Sequence, residues 1–190
     1  MTTDRMAPTS TEGKFYDAAL DVLAEDGYGA LKVRALCRRM GLTTGVFYHS
    51  FSSWKEFTDR LLDFWREDGT LRVARLAASQ TDDLHRLDDL VAAAMSLPHR
   101  AEAAIRVWGG IDADVGRVVA QVDQERLEAV SAAFLAVTGD PHLSERLAKA
   151  GIYLLVGFEQ SHLPEDPATL EWALRLIEAL ALDPRVVEPS

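Results

Sequence analysis

Between Asp26 and Glu56 no carboxylate interrupts five basic side chains: Lys32, Arg34, Arg38, Arg39 and Lys55. Guanidinium and ammonium groups gathered without neutralising acids suit phosphate oxygens, and phosphate contacts supply most of the sequence-independent affinity for nucleic acid. The rest of the chain has the opposite character. Of 20 basic and 30 acidic side chains, nine and nine lie in residues 1–66, so residues 67–190 carry the whole net charge of -10. The acidic part should repel DNA and leave only one end of the molecule to meet it.

The basic residues must be positioned by helices. Val33, Leu36, Cys37 and Met40 recur at i, i+3, i+4 and i+7, one helical face, with Arg34, Arg38 and Arg39 outside it. Gly41 follows as a left-handed cap. Thr43 then caps a second short helix, in which Phe47 and Phe51 face inward and Thr44, Gly45, Tyr48 and His49 face outward. Ser53-x-x-Glu56 is a capping box that opens the next helix, with Lys55 in its first turn near free backbone N–H groups. Two short helices across a glycine turn form a helix-turn-helix, whose second helix enters the major groove. The same pattern also fits an ordinary helical bundle with an arginine face, and periodicity alone does not separate the two.

Catalysis is poorly served. The five histidines, His49, His85, His99, His142 and His162, show no i, i+4 pairing and no cysteine companion, so there is no metal signature and no cofactor is expected. No glycine-rich phosphate loop follows a strand, and no GxSxG elbow occurs. The single cysteine, Cys37, excludes an internal disulfide and falls on the inner helix face, where a redox sensor would lack the exposure it needs.

The run Gly27, Lys32, Val33, Leu36, Cys37, Met40, Gly41, Leu42, Thr43, Gly45, Phe47, Tyr48 and Phe51, at these intervals, resembles the N-terminal domain of TetR-family (tetracycline-repressor-like) transcriptional regulators. The likeness covers roughly residues 9–65; beyond it only length and helical layout are similar. The resemblance implies a homodimer that binds palindromic operator DNA, usually as a repressor, and lets go when a small molecule enters the C-terminal domain. It further implies a DNA contact set of Lys32, Val33, Arg34, Thr43, Thr44, Gly45, Tyr48, His49 and Lys55. In that set Gly45 allows close approach to the groove, and Tyr48 and His49 reach phosphate and groove edge. Two positions depart from the family pattern: Lys32 stands where a threonine or serine cap is usual, and Trp54 where lysine is frequent. The competing function is a helical protein-interaction module whose DNA-binding head no longer works.

The whole reads as all-α, about nine helices, with a three-helix head (residues 1–52, motif about 33–52) and an effector-binding and dimerisation domain (residues 53–190). Residues 1–8 read as a loose arm carrying Arg5, and Thr9-x-x-Glu12 as a capping box before a helix that Gly27 ends. The fourth helix should run from Trp54 to about Ala78, weakened at Asp68-Gly69, where the resemblance places a point of transmission between pocket and head. Further helices are expected from Thr81-Asp82-Asp83 to Met95, Pro98 to about Trp108, Asp112 or Asp114 to Thr138, Ser144 to about His162, and Asp166-Pro167 to before Pro184.

Ala150–Phe158 is apolar all round, so it must be covered on every side. Patterning alone makes this helix and the last one plain core. With the resemblance they become a dimer face built from Ala150, Gly151, Leu154, Leu155, Phe158, Leu170, Leu174 and Ile177. Candidate pocket residues are Phe64, Trp65, Met95, Arg106, Trp108, Phe134 and Tyr153, although aromatic residues at helical spacing are as readily core. The expected partners are double-stranded DNA, a second copy and a small-molecule effector. No signal-peptide layout and no apolar run near the ~20 residues of a membrane span occur, which points to a cytoplasmic protein.

Overall fold

The computed structural model describes residues 10–71 and 83–183, and among these every regular element is helical. Nine α-helices follow in order: α1 Thr11–Asp26, α2 Val33–Met40, α3 Thr44–Ser50, α4 Trp54–Arg66, α5 Asp83–Met95, α6 His99–Gly109, α7 Ala113–Thr138, α8 Pro141–Gln160 and α9 Pro167–Leu182. The all-α reading therefore holds. The arm with Arg5, the Thr9 cap, the Thr81-Asp82 cap and the end of the fourth helix near Ala78 lie outside the described residues.

The helix ends are set by local chemistry. Ser10 caps α1 by accepting from the Gly13 N–H at 3.0 Å, and Gly27, at φ 73°, ends it with its N–H on the Leu23 carbonyl. After α2, Gly41 takes φ 67° and ψ 26°; its N–H reaches the Arg38 carbonyl while the Leu42 N–H reaches that of Cys37, a Schellman motif. Ser53 caps α4 through the Glu56 N–H, and Glu56 reaches back to the Ser52 N–H at 2.7 Å, one residue earlier than the usual reciprocal contact. The α-helical part of α4 stops at Arg66 and one π-helical turn, Glu67–Leu71, follows, at the place where Asp68-Gly69 weakens the helix. Asp140 and Asp166 cap α8 and α9, each before a proline at the first helical position. Thus α8 starts three residues before the expected Ser144.

The chain divides into two compact units, residues 1–67 with 98–119, and residues 68–97 with 120–190. The unit that holds the head therefore reaches well beyond residue 52, and the contacts explain why. Phe15, Phe47, Phe51 and Phe57 are fully or almost fully buried, with ring centroids 5.0–5.8 Å apart. Around this aromatic centre α6 packs on α1, Tyr28 stacks on Trp108 at 4.8 Å, and the Trp65 indole N–H donates to the fully buried Glu102 at 2.7 Å. Among the described residues of the second unit, Leu87, Phe134, Leu147, Ala148, Ile177 and Ala181 form one apolar cluster, and Val91, Leu155, Leu170 and Leu174 another.

Candidate nucleic-acid interface

Only one side chain of the seven-residue α3, Phe47, is fully buried. A helix so short has no stability of its own, so the ring that anchors it also fixes which side faces outward. That outward side carries Thr44, Gly45, Tyr48 and His49, all exposed, with Thr43 exposed at its start. The Thr43 hydroxyl makes no cap bond and is left available. Nothing inside the chain requires glycine at 45, since a Cβ there would meet only Thr43 Oγ1 at 3.6 Å, an ordinary contact.

The basic side chains do not behave alike. Lys32 and Arg34, at the start of α2, and Arg38 are exposed, with no ion-pair partner among the described residues, while Val33 is half-buried. Arg39 is committed elsewhere. Its two terminal nitrogens grip Glu25 at 2.6 and 2.7 Å and one also reaches Asp21 at 3.4 Å, tying α2 to α1. These hydrogen bonds hold the Glu25 carboxyl below its ordinary pKa and raise that of Arg39. Lys55 lies 2.8 Å from both oxygens of Asp59, a hydrogen bond that raises its pKa, yet it stays well exposed. Trp54 is half-buried and turns its ring toward Phe57 and Phe47, at 5.2 and 6.1 Å, so it extends the aromatic core and leaves the outward role to Lys55.

This split has a testable consequence. Arg34→Ala should lower the slope of log affinity for DNA against log salt by about 1 while leaving melting unchanged. Arg39→Ala should leave the slope alone and lower the melting temperature slightly. Salt titrations on both variants check the assignment; equal slopes for Arg34→Ala and wild type would remove Arg34 from the phosphate contacts.

Cys37 is buried, and desolvation raises its thiol pKa; the thiol points at the Thr43 carbonyl 3.5 Å away. A thiol held protonated and covered is a packing group, unlike the exposed thiolate a redox sensor requires.

The seven candidate pocket residues are divided between the two units. Phe64, Trp65, Arg106 and Trp108 belong to the first unit, where the Trp65 N–H donates to Glu102 and the Trp108 ring stacks on Tyr28. Met95, Phe134 and Tyr153 belong to the second unit, where Tyr153 is 70% exposed. A cavity of about 110 Å³ does exist within the second unit, and of the seven only Phe134 lines it. Sequence reading missed its other walls, among them Leu87, Val91, Gly151 and Glu178. One signal could have found Glu178: it flanks the inward stripe Leu170, Leu174, Ile177 and Ala181 of α9.

The residues expected at a dimer face are likewise mostly occupied. Leu155, Leu170, Leu174 and Ile177 are buried in their own unit, and Ala150 and Phe158 pack against its clusters. Gly151 faces Ile177 and Leu174, at 3.9 and 4.0 Å from the position of an added Cβ. Only Leu154 of these is exposed; Tyr153 on α8 and Trp172 and Leu176 on α9 are exposed as well.

Among the described residues no group of three or more His, Cys, Asp and Glu could hold a metal, and no helix is long and apolar enough to cross a membrane.

Residues 15–59 match the model of a family described as bacterial regulatory proteins, tetR family. No curated protein matches the chain. Solved structures share its fold. A transcriptional regulator from Rhodococcus sp. Rha1 is 22% identical with a TM-score of 0.72, over 95% of this chain and 100% of that one. A TetR transcription regulator from Haloarcula marismortui ATCC 43049 is 17% identical with a TM-score of 0.70, over 90% and 95%. The multidrug binding protein EbrR, solved in complex with imidazole, is 16% identical with a TM-score of 0.55, over 90% and 96%.

Proposed function

We propose, on the match of residues 15–59 to the model of the tetR family of bacterial regulatory proteins, that the chain is a transcriptional regulator of that family in the cytoplasm, more a repressor than an activator. It binds palindromic operator DNA as a homodimer and releases it when a small molecule enters the second unit. The observation that carries this reading is the outward side of α3. Thr44, Gly45, Tyr48 and His49 are exposed there on a helix pinned from behind by Phe47, beside the unpaired Lys32 and Arg34. This arrangement fits a helix laid into a major groove, with Lys32, Arg34 and Lys55 on flanking phosphates and Thr43, Thr44, Tyr48 and His49 nearer the bases. The functional division falls near residue 52, between the reading head and the segment that senses and pairs. The pairing surface is the exposed side of α8 and α9, with Tyr153, Leu154, Trp172 and Leu176 at its centre. The effector role draws support from the second unit's cavity and from EbrR, a protein of similar fold solved with imidazole bound.

Selection of genomic DNA fragments by the purified protein tests the reading. A palindrome whose affinity falls steeply with salt is the expected result. Tyr48→Ala should then weaken binding to that sequence by about tenfold while melting stays unchanged, because the ring is 56% exposed. Recovery of no sequence above background, with charge reversal at Arg34 tolerated, would favour the interaction-module reading.

A further inference from the structure

The second unit holds a cavity of about 110 Å³, and among the described residues its walls are almost wholly apolar, with Leu87, Val91, Phe134, Leu155, Leu174 and Ile177 among them. Two charged residues also line it, and both are engaged inside the protein. Arg126 is buried and has a partner. Glu178 Oε2 accepts from Arg175 Nη1 at 2.9 Å, and its Oε1 is buried beyond the reach even of water. Water is a poor occupant of such a space, because an ordered buried water needs two to four polar partners. What the cavity offers is carbon surface.

Size and wall chemistry together narrow the occupant. An apolar cavity of about 150 Å³ in another protein stays dry and holds benzene, whereas drug-sized ligands need about 300 Å³ or more. At about 110 Å³ this cavity suits one ring. We propose that it binds an uncharged hydrocarbon of that size, an alkylbenzene or a cycloalkane, held by burial of its carbon surface with no hydrogen bond of its own. The proposal rests on the reading that the second unit senses a small molecule, and it adds the chemical class of that molecule. Aliphatic side chains and the Phe134 ring meet such a ligand carbon to carbon, where transfer out of water is favourable. A hydroxyl carried into the same space gives up its water partners and gains none on these walls. An anion gives up more hydration still, and the one cation on the wall, Arg126, is already engaged.

Calorimetric titration of the full chain with toluene, phenol and benzoate tests this. The three share a ring and differ in the polarity of one substituent. The wild type should bind toluene about tenfold more tightly than phenol, and benzoate more weakly than either. A Cβ at Gly151 would stand 3.9 and 4.0 Å from Ile177 and Leu174, two other walls, so Gly151→Leu puts new carbon among them and should lose toluene. Ala94→Leu narrows the same cavity from α5 and should weaken toluene binding too; it decides if Gly151→Leu fails to fold. Phenol binding as tightly as toluene, benzoate binding best, toluene not binding, or toluene binding unchanged in the folded variants would each overturn the proposal. A separate operator-release assay keeps the two readings apart. Toluene bound without release would remove the effector role and leave the ligand class standing; release by another molecule, with no toluene binding, would sink the class alone.

Discussion

Trp172→Glu combined with Leu176→Glu should yield a folded monomer that binds operator DNA at least about a hundredfold more weakly than the wild type. The two side chains are 66% and 47% exposed, on the side of α9 away from Leu170, Leu174, Ile177 and Ala181. Their replacement removes little from the protomer's own core, and exposed substitutions of this kind shift stability by about 0.5 kcal/mol or less. Across a two-fold axis the same change strikes twice. Four large apolar side chains, each contributing about 1.5–3 kcal/mol when buried, give way to four carboxylates that resist desolvation. A monomer has one reading head, and a palindrome then offers it one half-site instead of two coupled ones. Sedimentation and gel-shift titration read the two effects separately. A dimer that survives both substitutions places the pairing surface elsewhere. A monomer with full operator affinity would mean that one head suffices, and the palindromic reading would fall.

The same helices show where sequence reading reaches its limit. Ala150–Phe158 is apolar all round, so composition announced coverage on all sides but could not say which side the protomer covers itself. The structure spends Leu155 and the Gly151 side on the internal core and leaves Tyr153 and Leu154 outside. Aromatic identity is ambiguous in a similar way: Trp65 and Trp108 had to be buried, but their partners Glu102 and Tyr28 lie 37 and 80 residues away in the chain. Arg39 is a third case, since Asp21 and Glu25 lie 18 and 14 residues before it and spacing along one helix says nothing of them.

Local signals fared better because their physics is local. Gly41 ends α2 in a left-handed turn, Ser53 and Glu56 open α4, and Asp166-Pro167 opens α9, each within one or two residues of expectation. Asp140-Pro141 is the same signal as Asp166-Pro167, and it opens α8 three residues before Ser144. The outward side of α3 was legible for a related reason: a seven-residue helix with Phe47 inside leaves few ways to arrange the rest.

Phe47→Ala should destabilise the first unit by about 3–5 kcal/mol and abolish specific DNA binding. The ring is fully buried and meets Phe15 edge-on at 5.5 Å, Phe51 and Phe57 each at 5.2 Å, and Trp54 at 6.1 Å. Truncation leaves a void the size of a phenyl group among rings that are themselves held by α1 and α4, so the surroundings cannot close over it. The loss should fall first on α3, because Phe47 is the only fully buried side chain it has and seven residues do not hold a helix unaided. Amide exchange in residues 44–50 should therefore accelerate more than in α1, and at temperatures where the second unit remains folded. Tyr48→Ala makes the contrast: it removes a neighbouring aromatic ring of similar size from the exposed side, and should weaken binding with no change in exchange. If Phe47→Ala speeds exchange in α3 as expected but keeps operator affinity within about threefold, then α3 does not read the DNA, and the contacts must come from Lys32, Arg34 and the start of α2.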